Sequence, residues 1–448
     1  MSTMSELVTL SRHGDVAVLT IDNPPVNALS PGVPEGIQSA VETAANAPAV
    51  KAIVVIGAGT TFIAGADIKE FGKVASGEAQ LPDLAAIIRR IEDSPKPVVM
   101  ALHGTAFGGG LEVAMGGHYR VIAPGAKVGQ PEVKIGLIPG AAGTQRLPRL
   151  AGVAQALTMC AFGEPIGAEE ALACGIADRI IEGDLLTSAI AFAREIADQP
   201  FTKVRDRNAK LRGSHAALLV AARDAAGKNM RGQEAPLAAI EAIEWCLWSR
   251  SFEDGCRIEH ELFNRCLHSS QSKALIYAFF AERAVAKIPD IPNADIVIVE
   301  TGRLLEIVRR ETTSKEAIAT AMALARKLKK VAVVANNGFI GKRMYDRYLR
   351  EAQLLVKALA SAEQVNKALH DFGMAERPLA PSPGNPGIIS NEEIVDRCMA
   401  ALADEGARLL AEGIALRAVD IDMVFVHGYG FPAWRGGPMF YAENKCAS

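Results

Sequence analysis

Three consecutive glycines, Gly108, Gly109 and Gly110, join an apolar segment directly to a helix-forming one. Residues 97–102 read PVVMAL, a short apolar run behind a proline and bounded by His103 and Gly104, which is the pattern of a buried strand. Residues 111–115 read LEVAM and mark the start of a helix. The glycines permit close backbone approach, and the helix N-terminus behind them offers free N–H groups with a partial positive charge. Such a junction suits an anionic oxygen and belongs in an α/β fold. A second carboxylate, Glu132, follows Gly129-Gln130-Pro131 and precedes another glycine-rich turn over residues 136–143.

Each feature has an ordinary explanation when taken singly. Triple glycine is most often a tight turn, Glu112 in a first helical turn is favoured by the macrodipole, and a loop glutamate is normally a solvated charge. The combination is harder to dismiss. Apolar segments flank both carboxylates, so the segments bearing them border the core.

The run HGTAFGGGLEVAMGGHYRVIAPGAKVGQPEVKIGLIPGAAGTQRLPRL, together with FIAGADIKEF at residues 62–71, resembles the signatures of the crotonase (enoyl-CoA hydratase/isomerase) superfamily. More narrowly, it is similar to the hydratase half of multifunctional fatty-acid oxidation enzymes, and the likeness covers roughly residues 5–285. The resemblance implies a crotonase-type ββα spiral. It also implies Glu112 as the residue activating water, Glu132 as the proton donor at the α-carbon, and the backbone N–H groups of Ala66 and Gly109 as an oxyanion hole. By the same resemblance Ala64, Gly65, Asp67, Ile68, Gly108, Pro131 and Gly140 contact an acyl-CoA substrate. Hydration needs a base for the water, an acid for the α-carbon and support for the enolate-like oxygen. Both glutamates are present, which favours hydration, with Δ3,Δ2-enoyl-CoA isomerisation as an added activity.

Composition narrows the partners. A net charge of −3 and a pI near 6.3 give no basic field for nucleic acid or an anionic membrane. The seven cysteines are scattered without metal-ligand spacing, as expected for reduced thiols in an intracellular compartment. No apolar run reaches membrane-spanning length. The N-terminus lacks a signal-peptide pattern and the last residues are not the peroxisomal tripeptide, so the expected compartment is the cytoplasm, with the peroxisome not excluded.

With 448 residues, two or more domains are expected. Along the chain, strands are expected over residues 16–21, 50–56 and 176–182, and helices over 34–45, 84–91, 153–160 and 169–174. Residues 74–82 read as a mobile loop, and residues 188–286 as mostly helical. The run SKALIYAFFAER at residues 272–283 resembles the linker helix that closes the thioester site in multifunctional enzymes; on that likeness Lys273 approaches a CoA phosphate and Phe279 or Phe280 the acyl tail. A surface lysine and two core aromatics are equally good readings of those residues.

The proline-set run IPDIP at residues 288–292 marks the expected boundary. The domains so drawn are 1–287, hydratase with its closing helix; 288–312, linker and remnant of a dinucleotide-binding domain; and 313–448, an incomplete helical region. That last region resembles the C-terminal domain of 3-hydroxyacyl-CoA dehydrogenases. No Gly-x-Gly-x-x-Gly run occurs anywhere, and Lys342 stands where that family carries asparagine. NAD is therefore not expected, the remnant strand is expected to lack cover on its faces, and residues 375–387 read as a splice over missing sequence. Three functions follow for testing: an enoyl-CoA hydratase without cofactor; a bifunctional enzyme that is also an NAD-dependent dehydrogenase; and a non-catalytic acyl-CoA-binding protein. Homo-oligomerisation is open.

Overall fold

The computed structural model describes residues 7–75, 78, 82–286, 296–310, 313–375, 377–381 and 388–445. The proline run at 288–292 lies outside the described residues, as do most of the expected loop tip and of the splice. The chain forms two compact units, Met1–Ser269 and Ser270–Ser448.

The first unit contains β1 (Val8–His13), β2 (Val16–Ile21), β3 (Ala52–Gly57), β4 (Val98–Leu102), β5 (Thr105–Phe107), β6 (Tyr119–Ile122), β7 (Lys127–Gly129), β8 (Ile166–Gly167) and β9 (Arg179–Ile180). One sheet runs β1-β2-β3-β4-β6-β9, antiparallel at its first pair and parallel thereafter. Its central strands are continuous apolar runs, and β4 is buried along its whole length. That is the signature of a parallel sheet covered on both faces. A second sheet has the order β5-β7-β8 and is built from strands of two or three residues. Isolated bridges Ile63↔Ala106 and Leu29↔Ala66 extend it towards residues 63–66. The chain thus steps from a long strand of the large sheet to a short one of the small sheet, then into a helix, and repeats. This is the ββα spiral.

Most predicted elements of this unit are in place: helices cover Val33–Asn46, Leu84–Glu92, Val153–Phe162 and Ala168–Cys174. The strand expected over residues 176–182 shrinks to Arg179–Ile180, which pairs only with the end of β6. Glu132 is not in a loop; it opens a single 3-10 turn, Glu132–Ile135.

The second unit begins with the helix Ser270–Val285, which buries Ala278, Ala281 and Val285 in that unit's own core. The division between compact units therefore falls at Ser269 and Ser270, not at 287/288. Next come β10 (Ile296–Thr301), β11 (Leu304–Arg309) and β12 (Val331–Asn336). β10 and β11 form an antiparallel hairpin, and β11 pairs in parallel with β12 across the helix Lys315–Lys327. β11 and β12 do not lack cover, but β10, an outer strand of the three, leaves Ile298 40% exposed. On one face Leu305, Ile307, Ala332 and Val334 pack with Ile318, Ala321, Met322 and Ala325. On the other, Leu304, Val308, Val333 and Ala335 join the helical core around Met344, Leu402 and Phe425. Lys342 is solvent-exposed and pairs with Asp346 at 2.7 Å, an ordinary surface contact one helical turn apart.

Candidate active site

The helix Gly109–Gly116 is buried throughout. Its entry is fixed by Gly108, at φ +53°, whose N–H donates to Gly129 O at 2.9 Å at the end of β7. A side chain at Gly108 would be strained there, and a Cβ would lie 3.0 Å from Glu132 Oε1. Gly110 is required for a different reason: a Cβ would come within 2.2 Å of Ile63 O, so only glycine lets this helix lie against residues 63–66. That approach brings Gly109 close to Ala66; a Cβ on Gly109 would be 3.7 Å from Ala66 N. Among the described residues, neither amide donates to a protein acceptor. Two free N–H groups on neighbouring segments, one at a helix N-terminus, can share one anionic oxygen.

Glu112 is 3% exposed, one turn into that helix. Its Oε1 accepts from Ala141 N at 2.7 Å and Gly143 N at 2.9 Å. Oε2 accepts nothing among the described residues and is the oxygen left to meet a ligand. Burial pushes the Glu112 carboxyl up to about 7, against the pull of those two amides and of Arg146. Glu132 is half-buried. With its amide nitrogen turned to the carboxylate, fully buried Gln130 donates to Glu132 Oε1 at 2.8 Å and Oε2 at 3.2 Å. Burial, then the Glu112 carboxylate, push Glu132 well above the usual carboxylate range. Glu259 is raised too, to about 8, by burial and then by Glu112, so the three acids titrate together.

The other expected contact residues are spread over several elements. Ala64 N–H donates to Val26 O, and Gly65 O accepts from Leu29 N. Asp67 accepts from Lys69 N at 3.1 Å, and Ile68 opens the helix Ile68–Ala75. Pro131 caps the turn that carries Glu132, and Gly140 lies against the Phe263 ring. Lys273 and Phe279 sit in the second unit; Lys273 is exposed, and the Arg283 guanidinium covers the Phe279 ring at 3.3 Å.

Three residues around the pair escaped the sequence reading. Gln130 stood inside the quoted run, two positions from Glu132. Arg146 donates to Ala141 O at 3.3 Å and to Glu92 at 2.8 Å, a fully buried ion pair behind the 140–144 turn. Glu259, from the helix Phe252–Leu267, accepts from Ala142 N, Thr144 N and Thr144 Oγ1. More than a hundred residues separate it from its partners, and nothing local in the sequence marks it.

This arrangement, an α/β spiral with two coupled acids beside two free amides, agrees with the comparisons. The enoyl-CoA hydratase/isomerase family matches residues 11–234, half of the chain, and the chain belongs to that family. The NAD-binding domain of 3-hydroxyacyl-CoA dehydrogenase matches residues 299–338 alone. Among curated proteins, the peroxisomal bifunctional enzymes of Danio rerio and Homo sapiens are each 27% identical; the alignments cover 96% of this chain and 91% and 92% of those proteins. The Danio alignment runs over 659 positions against a chain of 448 residues, so that relative carries a long stretch without a counterpart here. A peroxisomal fatty acid beta-oxidation multifunctional protein of Arabidopsis thaliana is 35% identical over 82% of this chain and 52% of its own length.

Proposed function

We propose that the first unit is an enoyl-CoA hydratase of fatty-acid β-oxidation, adding water syn to a 2-trans-enoyl-CoA, with Δ3,Δ2-enoyl-CoA isomerisation as a second activity of the same acids. The observation that carries this reading is the pairing of Glu112 and Glu132 beside the free amides of Ala66 and Gly109. Glu112 Oε2 takes a proton from water as the water oxygen bonds to the β-carbon. The π electrons shift onto the thioester oxygen, which accepts from the Ala66 and Gly109 N–H groups. Glu132 then gives its proton to the α-carbon. Elevated proton affinities suit this division of labour, since one acid must hold a proton near neutrality while its partner releases one. Preorganised amides of this kind are typically worth about 3–4 kcal/mol each at the transition state. Lys273 and Phe279 are proposed as CoA and acyl contacts by family likeness alone.

The direct test is loss of the enoyl absorbance when crotonyl-CoA is added to the purified full chain. Turnover is expected, and a chain that leaves crotonyl-CoA unchanged sinks the reading. A bifunctional enzyme is the second reading, favoured by the match at residues 299–338 and by the relatives' names. Against it stand the lack of any glycine fingerprint and Lys342 in a solvent-facing ion pair. We therefore place no NAD in the mechanism. The expected cytoplasmic location finds no support among the relatives, which are named peroxisomal or glyoxysomal; a peroxisomal site is the better proposal.

A further inference from the structure

The turn over residues 140–144 is gripped from two sides by alternate amides. Ala141 N and Gly143 N donate to Glu112 Oε1 at 2.7 and 2.9 Å. Ala142 N donates to Glu259 Oε1 at 2.5 Å, while Thr144 N and Thr144 Oγ1 donate to Glu259 Oε2 at 2.8 and 2.5 Å. Gln145 in turn donates to Thr144 Oγ1 at 3.0 Å, so that Thr144 Oγ1 turns its own proton towards Glu259, and to Ala242 O at 3.0 Å, which anchors the Gln145 amide. Between the two carboxylates stands Ala142, at φ +67° and ψ +26°, a left-handed conformation in a residue that is not glycine. Such a residue persists only where its surroundings over-determine it. Here Glu259 holds the strained peptide's own N–H. Without that grip, Ala142 would relax, and Ala141 N and Gly143 N would swing off Glu112.

We infer that Glu259 is a positioning residue of the hydratase site, holding the 140–144 turn in the strained form whose intervening amides fix the water-activating carboxylate of Glu112. The inference rests on the proposed hydratase reading and deepens it. Glu259 is 1% exposed and nothing places it against substrate, so its action is through the turn. It also caps the helix Gly143–Ala151, which no side chain of its own N-cap residue does.

The experiment measures crotonyl-CoA hydration by the full chain carrying Glu259→Gln, Ala142→Gly and both together, with thermal melting of each. A glutamine keeps the shape but replaces one of the two accepting oxygens by an N–H donor that faces the donors of the turn. Glu259→Gln is expected to lower kcat on the order of 10- to 100-fold, as small misplacements of a reacting group do, with KM within about 3-fold. Glycine has no left-handed penalty, so adding Ala142→Gly is expected to restore kcat several-fold in the Glu259→Gln background. A Glu259→Gln protein as active as wild type overturns the inference. So does a loss of kcat that Ala142→Gly leaves unchanged and that follows melting temperature alone. If Glu259→Gln does not fold, Thr144→Val removes one of the three bonds and keeps the carboxylate; a fall in kcat at constant KM supports the role, and unchanged kcat overturns it. Wild-type protein without hydration overturns the hydratase reading itself, a result separable from any ratio between variants.

Discussion

Glu112 and Glu132 divide the proposed chemistry between them, and their surroundings differ accordingly. Glu112 has one oxygen tied to two amides, whereas Glu132 is half-buried and faced by Gln130. Glu112→Gln and Glu132→Gln are each expected to cut kcat by about 10²–10⁴-fold, the usual worth of a positioned proton-transfer group, while the protein still folds. Near-wild-type turnover in either variant would refute their roles. The pH dependence has a definite sign. Glu112 must be ionised, and burial moves its protonation from the ordinary carboxylate range up to about 7, so kcat/KM should rise as pH climbs through that region. Glu132 must keep its proton, and its affinity is raised further, so activity should fall once pH passes the upper limb of the coupled acids. An acid limb near pH 4–5 would show that Glu112 is not held as described. At this scale the sequence was informative wherever contacts are local. Gly108, Glu112 and Glu132 lie within one run, whereas Glu259 reaches its partners only through folding, with no periodicity or motif to betray it.

The close approach at Gly110 is the point on which the elements depend. Its Cα faces Ile63 O so tightly that any side chain must displace the helix Gly109–Gly116 or the 63–66 segment. Glu112 and the Gly109 amide ride on that helix, and the Ala66 amide on that segment. Gly110→Ala is therefore expected to destabilise by about 1–3 kcal/mol, as overpacking does, and to depress hydration more than its stability loss explains; melting and kcat measured on one sample decide it. Unchanged kcat would mean the two amides do not need this contact. Long apolar strands and amphipathic helices were legible because burial writes period and length into the sequence. The small sheet was not, since strands of two or three residues carry no alternation to read. Nor was the 3-10 turn at Glu132, which has too few residues for a pattern.

Across the whole molecule, a catalytic likeness in the first unit is joined to a second unit that keeps a piece of a dinucleotide-binding domain without its phosphate-cradling turn. Incubating the full chain with a 3-hydroxyacyl-CoA and NAD is expected to form no NADH, on the same preparation that hydrates crotonyl-CoA; steady NADH production would establish the bifunctional reading. The remnant of a dinucleotide-binding domain within residues 288–312 was visible in the chain, and so was the missing glycine run. What could not be read was that residues 304–309 would become a central strand, because their partner β12 lies across an intervening helix. Roofed by one helix and floored by others, β11 and β12 keep their greasy faces from chaperone and protease, while Ile298 on β10 stays open to both. A fragment of a dinucleotide-binding domain can thus keep a packed interior although the match to that domain spans residues 299–338 alone.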